Sequence, residues 1–248
     1  MANPEFIYPD WEVANNIRAV FTTRIGGFSE GEYCGFNLGL HVNDSAEHVR
    51  RNRELLIEAL QLPSKPVYLS QVHGTDVLDA SESSKNSSPD ADACWTGETN
   101  NVITIMTADC LPVLIASHCG TYIAGAHAGW RGLASGVLEA TISKLPIASS
   151  ELRAWLGPAI GPEHFEVGVE VREQFIAMSP TSSIHFRQVS ADKYLADLYG
   201  LATDRLNTAG VRSVSGGSYC TYADKQLFFS HRRDKGKTGR MAALIWKV

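Results

Sequence analysis

The chain has 248 residues, of which 44% are hydrophobic and 20% charged, so it carries enough apolar material for a sizeable core. Its net charge of -5 excludes a nucleic-acid binder that relies on a basic face, yet leaves room for a small anion held by a few placed arginines. No signal-peptide pattern opens the sequence, Asp109 and His118 break the longest apolar run, and the five cysteines show no disulfide spacing, so a cytoplasmic protein without membrane partners is expected.

The first predicted element is a strand over 17–23 in "IRAVFTTRIGGFSEG", running into a glycine-rich loop that begins at Arg24. "DSAEHVRRNRELLIEAL" reads as a helix with Asp44 or Ser45 as N-cap and with Val49, Leu56 and Leu60 near one face. "PVYLSQVHG" alternates like a strand and ends at Gln71-Val72-His73-Gly74. "SESSKNSSPDADA" reads as a solvated loop within a single domain spanning 1–248. Two apolar runs follow, separated by the polar turn "SHCG", and "GWRGLASGVLEATISKL" reads as one helix behind them. A strand in "ELRAWLGPAIGPEHFEVG", helices over 170–178 and 193–207, and a carboxy-terminal pair of strands complete the chain. Paired strands joined by short turns are too common for a purely parallel sheet, so the class is mixed α+β in layers.

The hairpin carries the chemistry. With its loop centred between His118 and Cys119, Cys110 stands directly opposite His127. Opposed residues have Cβ atoms about 4.5–5.5 Å apart, which suits two side chains gripping one ion. Either residue alone has a plain reading, as a small buried hydrophobe or a satisfied core histidine. Together, with Asp109 and Arg131 nearby, they point to a site, and His73 is the best third ligand. One thiolate and two imidazoles suit zinc or copper, and three protein ligands leave a position for water or substrate. His41, His118, Cys119 and His164 are the spare candidates that could close the tetrahedron and make the site structural.

"QVHGT", "DADACWT", "TADCLPVLI", "AGAHAGWRG", "GPAIGPEHFEVG" and "FFSHRRDKGKTGRMAALI" resemble the laccase-domain family. That family was named for multicopper polyphenol oxidases and is also classed as a peptidoglycan editing factor. The resemblance implies an αββα layered sandwich and a zinc ion on His73, Cys110 and His127. It also implies phosphorolysis of adenosine, inosine, guanosine or methylthioadenosine, and hydrolytic deamination of adenosine, with nucleoside and phosphate as partners. Phosphorolysis needs cations for phosphate, and arginine offers a planar fork of donors. Arg131, Arg24, Arg232 and Arg233 are the candidates, each with a solvated surface cation as its plain alternative. Asn37 and Gln71 are candidates for hydrogen bonds to ribose or base. Asp109 is a candidate proton donor or ligand orienter, which requires the strand to end or bulge there, since in a regular strand it points away from Cys110.

Several other readings are weaker. "GKT" at 236–238 lacks the first glycine of a P-loop, and no C-x-x-C supports a zinc deaminase of the cytidine type. Copper oxidation remains an alternative, although none of the eight histidines forms the H-x-H pairs of multicopper oxidases. A metal-free cysteine hydrolase would use Cys110 as nucleophile and His127 as base. A structural zinc on a binding module, or a factor in cell-wall precursor editing, is the non-catalytic alternative.

Overall fold

The computed structural model describes residues 3–82 and 88–248, so part of the expected solvated loop lies outside the described residues. Two sheets pack face to face, with helices on both outer sides. The first sheet is antiparallel, in the order β1 (Phe6–Ile7), β2 (Ile17–Thr22), β13 (Met241–Lys247), β5 (Val102–Thr107). The second runs β12 (Ser213–Gly216), β8 (Leu152–Leu156), β6 (Leu111–Ser117), β7 (Ile123–Ala128), β4 (Ala93–Thr96), β3 (Val77–Asp79). Its two outermost pairs are parallel and its centre antiparallel. A small antiparallel sheet joins β10 (Phe186–Gln188), β11 (Lys193–Ala196) and β9 (Glu166–Gly168).

Strands covered on both faces read as continuous apolar runs, which explains "VITIM", "LPVLIA" and "MAALIW". Phe21, Ile103, Ile105, Leu114, Ile123 and Ile245 fill the space between the sheets. A Cβ on Gly125 would lie 2.9 Å from Ile105 and 3.0 Å from Ile103, so this glycine lets the layers meet closely. Helix α1 (Ala46–Leu60) covers the first sheet through Leu56, packed with Phe36, Leu38 and Leu244. Helices α2 (Trp130–Ser135), α3 (Val137–Lys144), α4 (Val169–Met178) and α5 (Leu198–Thr208) cover the second. There Leu133, Leu138, Phe175 and Leu201 meet Leu111, Val113 and Ile115. Burying each such side chain contributes about 1.5–3 kcal/mol. Among the described residues, no helix is long and apolar enough to cross a membrane.

The αββα sandwich agrees with the expectation, while several local elements differ. "PVYLSQVHG" makes only isolated bridges, Val67 to Ile103 and Ser70 to Asp90. The expected helix behind the hairpin is two helices, broken where Gly136 turns left-handed at φ 100°. Residues 193–196 are strand, and α5 starts only after its N-cap Asp197. The last two strands do not pair with each other: β12 joins β8, and β13 sits between β2 and β5. The first apolar run is also divided between sheets. Its start belongs to β5, its end to β6, and the chain crosses at Ala108–Cys110.

Candidate metal centre

Alternation along β7 puts Ile123, Gly125 and His127 on the face toward the other sheet, and His127 comes near the strand's end, where the layers part. The residue that fixes its ring is Asp92, just before β4. Its carbonyl accepts the His127 N–H at 2.7 Å, and its Oδ1 lies 2.8 Å from His127 Nδ1. Because a carboxylate only accepts, Nδ1 carries a proton and Nε2 is the nitrogen free to give its lone pair to an ion, which would take the place of a second proton. The same carboxylate accepts the backbone N–H groups of Val72 (3.1 Å), His73 (2.9 Å) and Gly74 (2.6 Å). These bonds pin the turn in which His73 adopts φ 63°, a left-handed conformation that needs such support. Burial opposes ionisation of Asp92, but His127 and the Gly74 and His73 amides hold its pKa below the ordinary carboxylate value.

Cys110 arrives from the crossing between the sheets. The chain turns there through Asp109 at φ 90°, and the Asp109 carboxylate is buried. It accepts from Thr221 Oγ1 at 2.6 Å, Ser230 Oγ at 3.0 Å and the Arg232 N–H at 2.7 Å. β5 therefore ends at Thr107, before Asp109, and three donors commit the Asp109 oxygens to holding the carboxy-terminal loop. The hairpin register differs from expectation by two residues: Pro112, not Cys110, stands opposite His127. A shift of two preserves the face, so Cys110 falls level with Gly129 and diagonal to His127. A Cβ on Gly129 would lie 3.1 Å from Cys110 Sγ and 3.1 Å from His73 Cδ2, so the missing side chain leaves room for the three to converge.

The ligating atoms of His73, Cys110 and His127 all lie within 4.8 Å of one another, and no fourth protein ligand joins them among the described residues. Cys110 Sγ is 3.9 Å from His73 Nε2. Bonds of about 2.3 Å to sulfur and about 2.0–2.1 Å to nitrogen at a tetrahedral ion put S and N about 3.5 Å apart, so a contraction of a few tenths of an ångström closes the set. Burial opposes the Cys110 thiolate, but the charge and hydrogen bonds of His127, then His73, bring the thiol down to about 6. Burial likewise opposes protonation of His127, and the Cys110 thiolate and Asp92 together raise it to about 9. The donor chemistry fits a borderline-soft divalent ion.

The triad lies in a cleft of about 850 Å³. Of the other expected site residues, Asp109, Arg131, Arg232 and Gln71 line it. The Arg131 guanidinium lies over the Trp130 ring at 4.3 Å, and that of Arg232 donates to the Glu166 carbonyl at 2.9 Å. Gln71 uses its amide structurally, donating to the Met106 carbonyl and accepting the Met106 N–H, both at 2.8 Å. That clamp stands in for the strand pairing this segment lacks. Arg24, Asn37 and Arg233 are not brought to the cleft. Arg24 donates to the Cys34 and Lys225 carbonyls, Asn37 bridges Asp44 and the backbones of Gly39 and Arg240, and Arg233 is bound to Asp234 and three carbonyls. Sequence reasoning passed over Asp92, Gly129, Arg53, Tyr68 and Arg240. Asp92 and Gly129 stood inside quoted motifs, but nothing in periodicity or spacing distinguishes them.

The family described as multi-copper polyphenol oxidoreductase laccase matches residues 18–248. Purine nucleoside phosphorylase YfiH of Escherichia coli (strain K12) is 50% identical over 244 residues, covering 98% of this chain and 99% of its own. The Haemophilus influenzae protein named purine nucleoside phosphorylase is 46% identical, covering 97% of this chain and 98% of its own. Among solved structures, Neisseria meningitidis protein NMB0706 superposes with a TM-score of 0.93 at 46% identity, covering 98% of each chain. YlmD from Geobacillus stearothermophilus does so at 0.88 and 32% identity, covering 94% of this chain and 92% of its own. By near-complete family coverage and by relatives of about half identity along their full length, this chain belongs to that laccase-like family.

Proposed function

We propose that this protein is a zinc-dependent purine nucleoside phosphorylase of the cytoplasm, folding as a single domain. Its substrates in this reading are phosphate and adenosine, inosine, guanosine or methylthioadenosine, and it also deaminates adenosine. The names of its relatives support the purine chemistry. The observation that carries the metal dependence is the convergence of His73, Cys110 and His127 in a large cleft, with no fourth protein ligand among the described residues. Zinc, when bound, supplies Lewis acidity at the vacant corner.

The remaining work falls to the chain's own groups. Asp92 keeps both histidines aimed, one through its ring proton and the other through its backbone. Arg131 and Arg232 offer charge-assisted donors to an anionic substrate entering the cleft. Trp130 and Phe165 line the same cleft and give a planar base apolar surface to lie against. Asp109 serves as a positioning residue: it fixes the turn before Cys110 and the backbone of Arg232.

A second reading, a metal-free cysteine hydrolase, has one observation in its favour, the order Cys110–His127–Asp92 with the acid on the far ring nitrogen. Turnover of adenosine and inosine by zinc-replete protein, with and without phosphate and before and after chelation, separates the readings. Base release that requires both phosphate and metal, and that is lost in Cys110→Ala, supports phosphorolysis. Full activity in Cys110→Ala removes the metal centre, and chelator-insensitive hydrolysis favours the cysteine hydrolase. Phenol oxidation that tracks copper content on the same preparation would move the assignment to an oxidase.

A further inference from the structure

The cleft contains a second feature that the triad does not use. Arg53, on α1, donates from Nε to the Leu38 carbonyl at 2.9 Å, and its guanidinium lies 3.6 Å from the centroid of the Tyr68 ring. The Arg240 guanidinium, just before β13, donates among the described residues only to the Thr238 and Gly239 carbonyls, at 3.0 and 3.1 Å. His41 lines the same cleft with both of them. Among the described residues, no carboxylate lies within 4 Å of either guanidinium. The chain pairs other enclosed arginines, Arg205 with Glu139 and Arg233 with Asp234. An enclosed guanidinium without a directly paired carboxylate is costly to keep, and both of these act on the one His41 ring. Burial pulls both guanidiniums below their usual value; His41 is likewise lowered, by burial and then by Arg240 and Arg53. The same wall carries two hydroxyls, of Tyr68 and Thr107, that are buried with no hydrogen-bond partner among the described residues. Arg240 is close enough to Cys110 and Asp109 for their charges to act on it.

We propose that Arg53, Arg240 and His41, with the Tyr68 and Thr107 hydroxyls, form the subsite for the attacking phosphate. The proposal rests on the phosphorolysis reading and adds to it where the oxyanion sits. Two guanidinium forks and neutral donors suit a tetrahedral dianion, which supplies the directly paired anion that neither guanidinium has among the described residues. From there a phosphate oxygen forms the bond to the anomeric carbon as the carbon–nitrogen bond to the purine breaks. The bonding pair leaves on the base nitrogen, which takes up the proton that hydrogen phosphate gives up.

The test is phosphate saturation kinetics with inosine on zinc-loaded wild type, Arg53→Met and Arg240→Met, together with calorimetric titration of inorganic phosphate. Arg53→Lys and Arg240→Lys, which keep the charge and lose the fork, cover the case in which a methionine variant does not fold. The phosphate KM is expected to rise about ten-fold or more in each methionine variant and less in each lysine variant, with the inosine KM within about two-fold. An unchanged phosphate KM in folded variants overturns the subsite while leaving phosphorolysis intact. If wild type performs no phosphorolysis, the functional reading fails, and the titration still decides: heat of phosphate binding that the variants lose supports the corner, and no binding or unaltered binding overturns it. Inosine monophosphate distinguishes the source of the anion. Tight binding and turnover of that nucleotide without added phosphate would reassign the corner to a substrate's own phosphate and overturn the proposal.

Discussion

Replacing Asp92 by asparagine removes one charge and almost no volume, yet it strikes both histidines of the triad. Each oxygen of the buried carboxylate accepts two donors: Oδ2 takes the Val72 and Gly74 N–H groups, and Oδ1 takes the His73 N–H and His127 Nδ1. Asparagine keeps one oxygen and turns an NH₂ on the other pair. If the NH₂ faces Val72 and Gly74, two buried backbone donors lose their acceptor, at about 1–3 kcal/mol each. If it faces His127, the ring satisfies it only by accepting at Nδ1, which moves the proton to Nε2 and blocks the ligand. The first orientation lowers stability by about 2–6 kcal/mol; the second weakens metal binding by about 10–100-fold. Chemical denaturation of metal-free protein reads the first effect, and competition for zinc with a chromophoric chelator reads the second. An Asp92→Asn protein matching wild type in both assays would refute the argument that this carboxylate holds the site.

Three further outcomes follow from the same geometry. Gly129→Ala keeps the fold but weakens zinc binding by about ten-fold, because its Cβ takes up the roughly 0.5 Å of tolerance a built site allows; equal affinity by chelator competition contradicts this. Asp109→Asn keeps one acceptor oxygen, so either the Thr221 hydroxyl or the Ser230 hydroxyl with the Arg232 N–H loses its partner; it lowers the urea-unfolding free energy by about 1–3 kcal/mol and, in the second orientation, raises the nucleoside KM through a displaced Arg232. Asp92 also sets an acid limit. Because its folded pKa is depressed, the stability it contributes is complete above the unfolded value of about 3.9 and is lost as pH falls through the folded one, so the Asn variant shows a flatter acid limb in pH-dependent melting.

The layered class was legible because runs such as "MAALIW" and "LPVLIA" are too uniformly apolar to have a wet face. The hairpin was legible too, but its register was not. The loop holds residues 118–121, because the Ser117 N–H pairs with the Tyr122 carbonyl and Gly120 takes φ 76°, and no composition rule distinguished that from a loop one residue earlier, which shifts the pairing by two. A slip of two removes the expected direct pairing of Cys110 with His127 but keeps both on one face, where their ligating atoms still come within 4.8 Å of each other and of His73. The helix break at Gly136 and the start of α5 at Asp197 are decided by a left-handed residue and a cap, which periodicity averages away. The cationic corner was harder to read. Arg53 sits in a helix among Arg50 and Arg51, and only folding shows that it alone of the three turns into the cleft.

Cys110 stands on the stretch of chain that leaves one sheet and enters the other, while the two imidazoles belong to the second sheet's side and share one acid. An ion held by all three works as a rivet through the sandwich. A substitution that pushes the sheets apart beside the site, such as Gly125→Val two residues before His127 on the same face, is therefore expected to alter zinc affinity without touching a ligand.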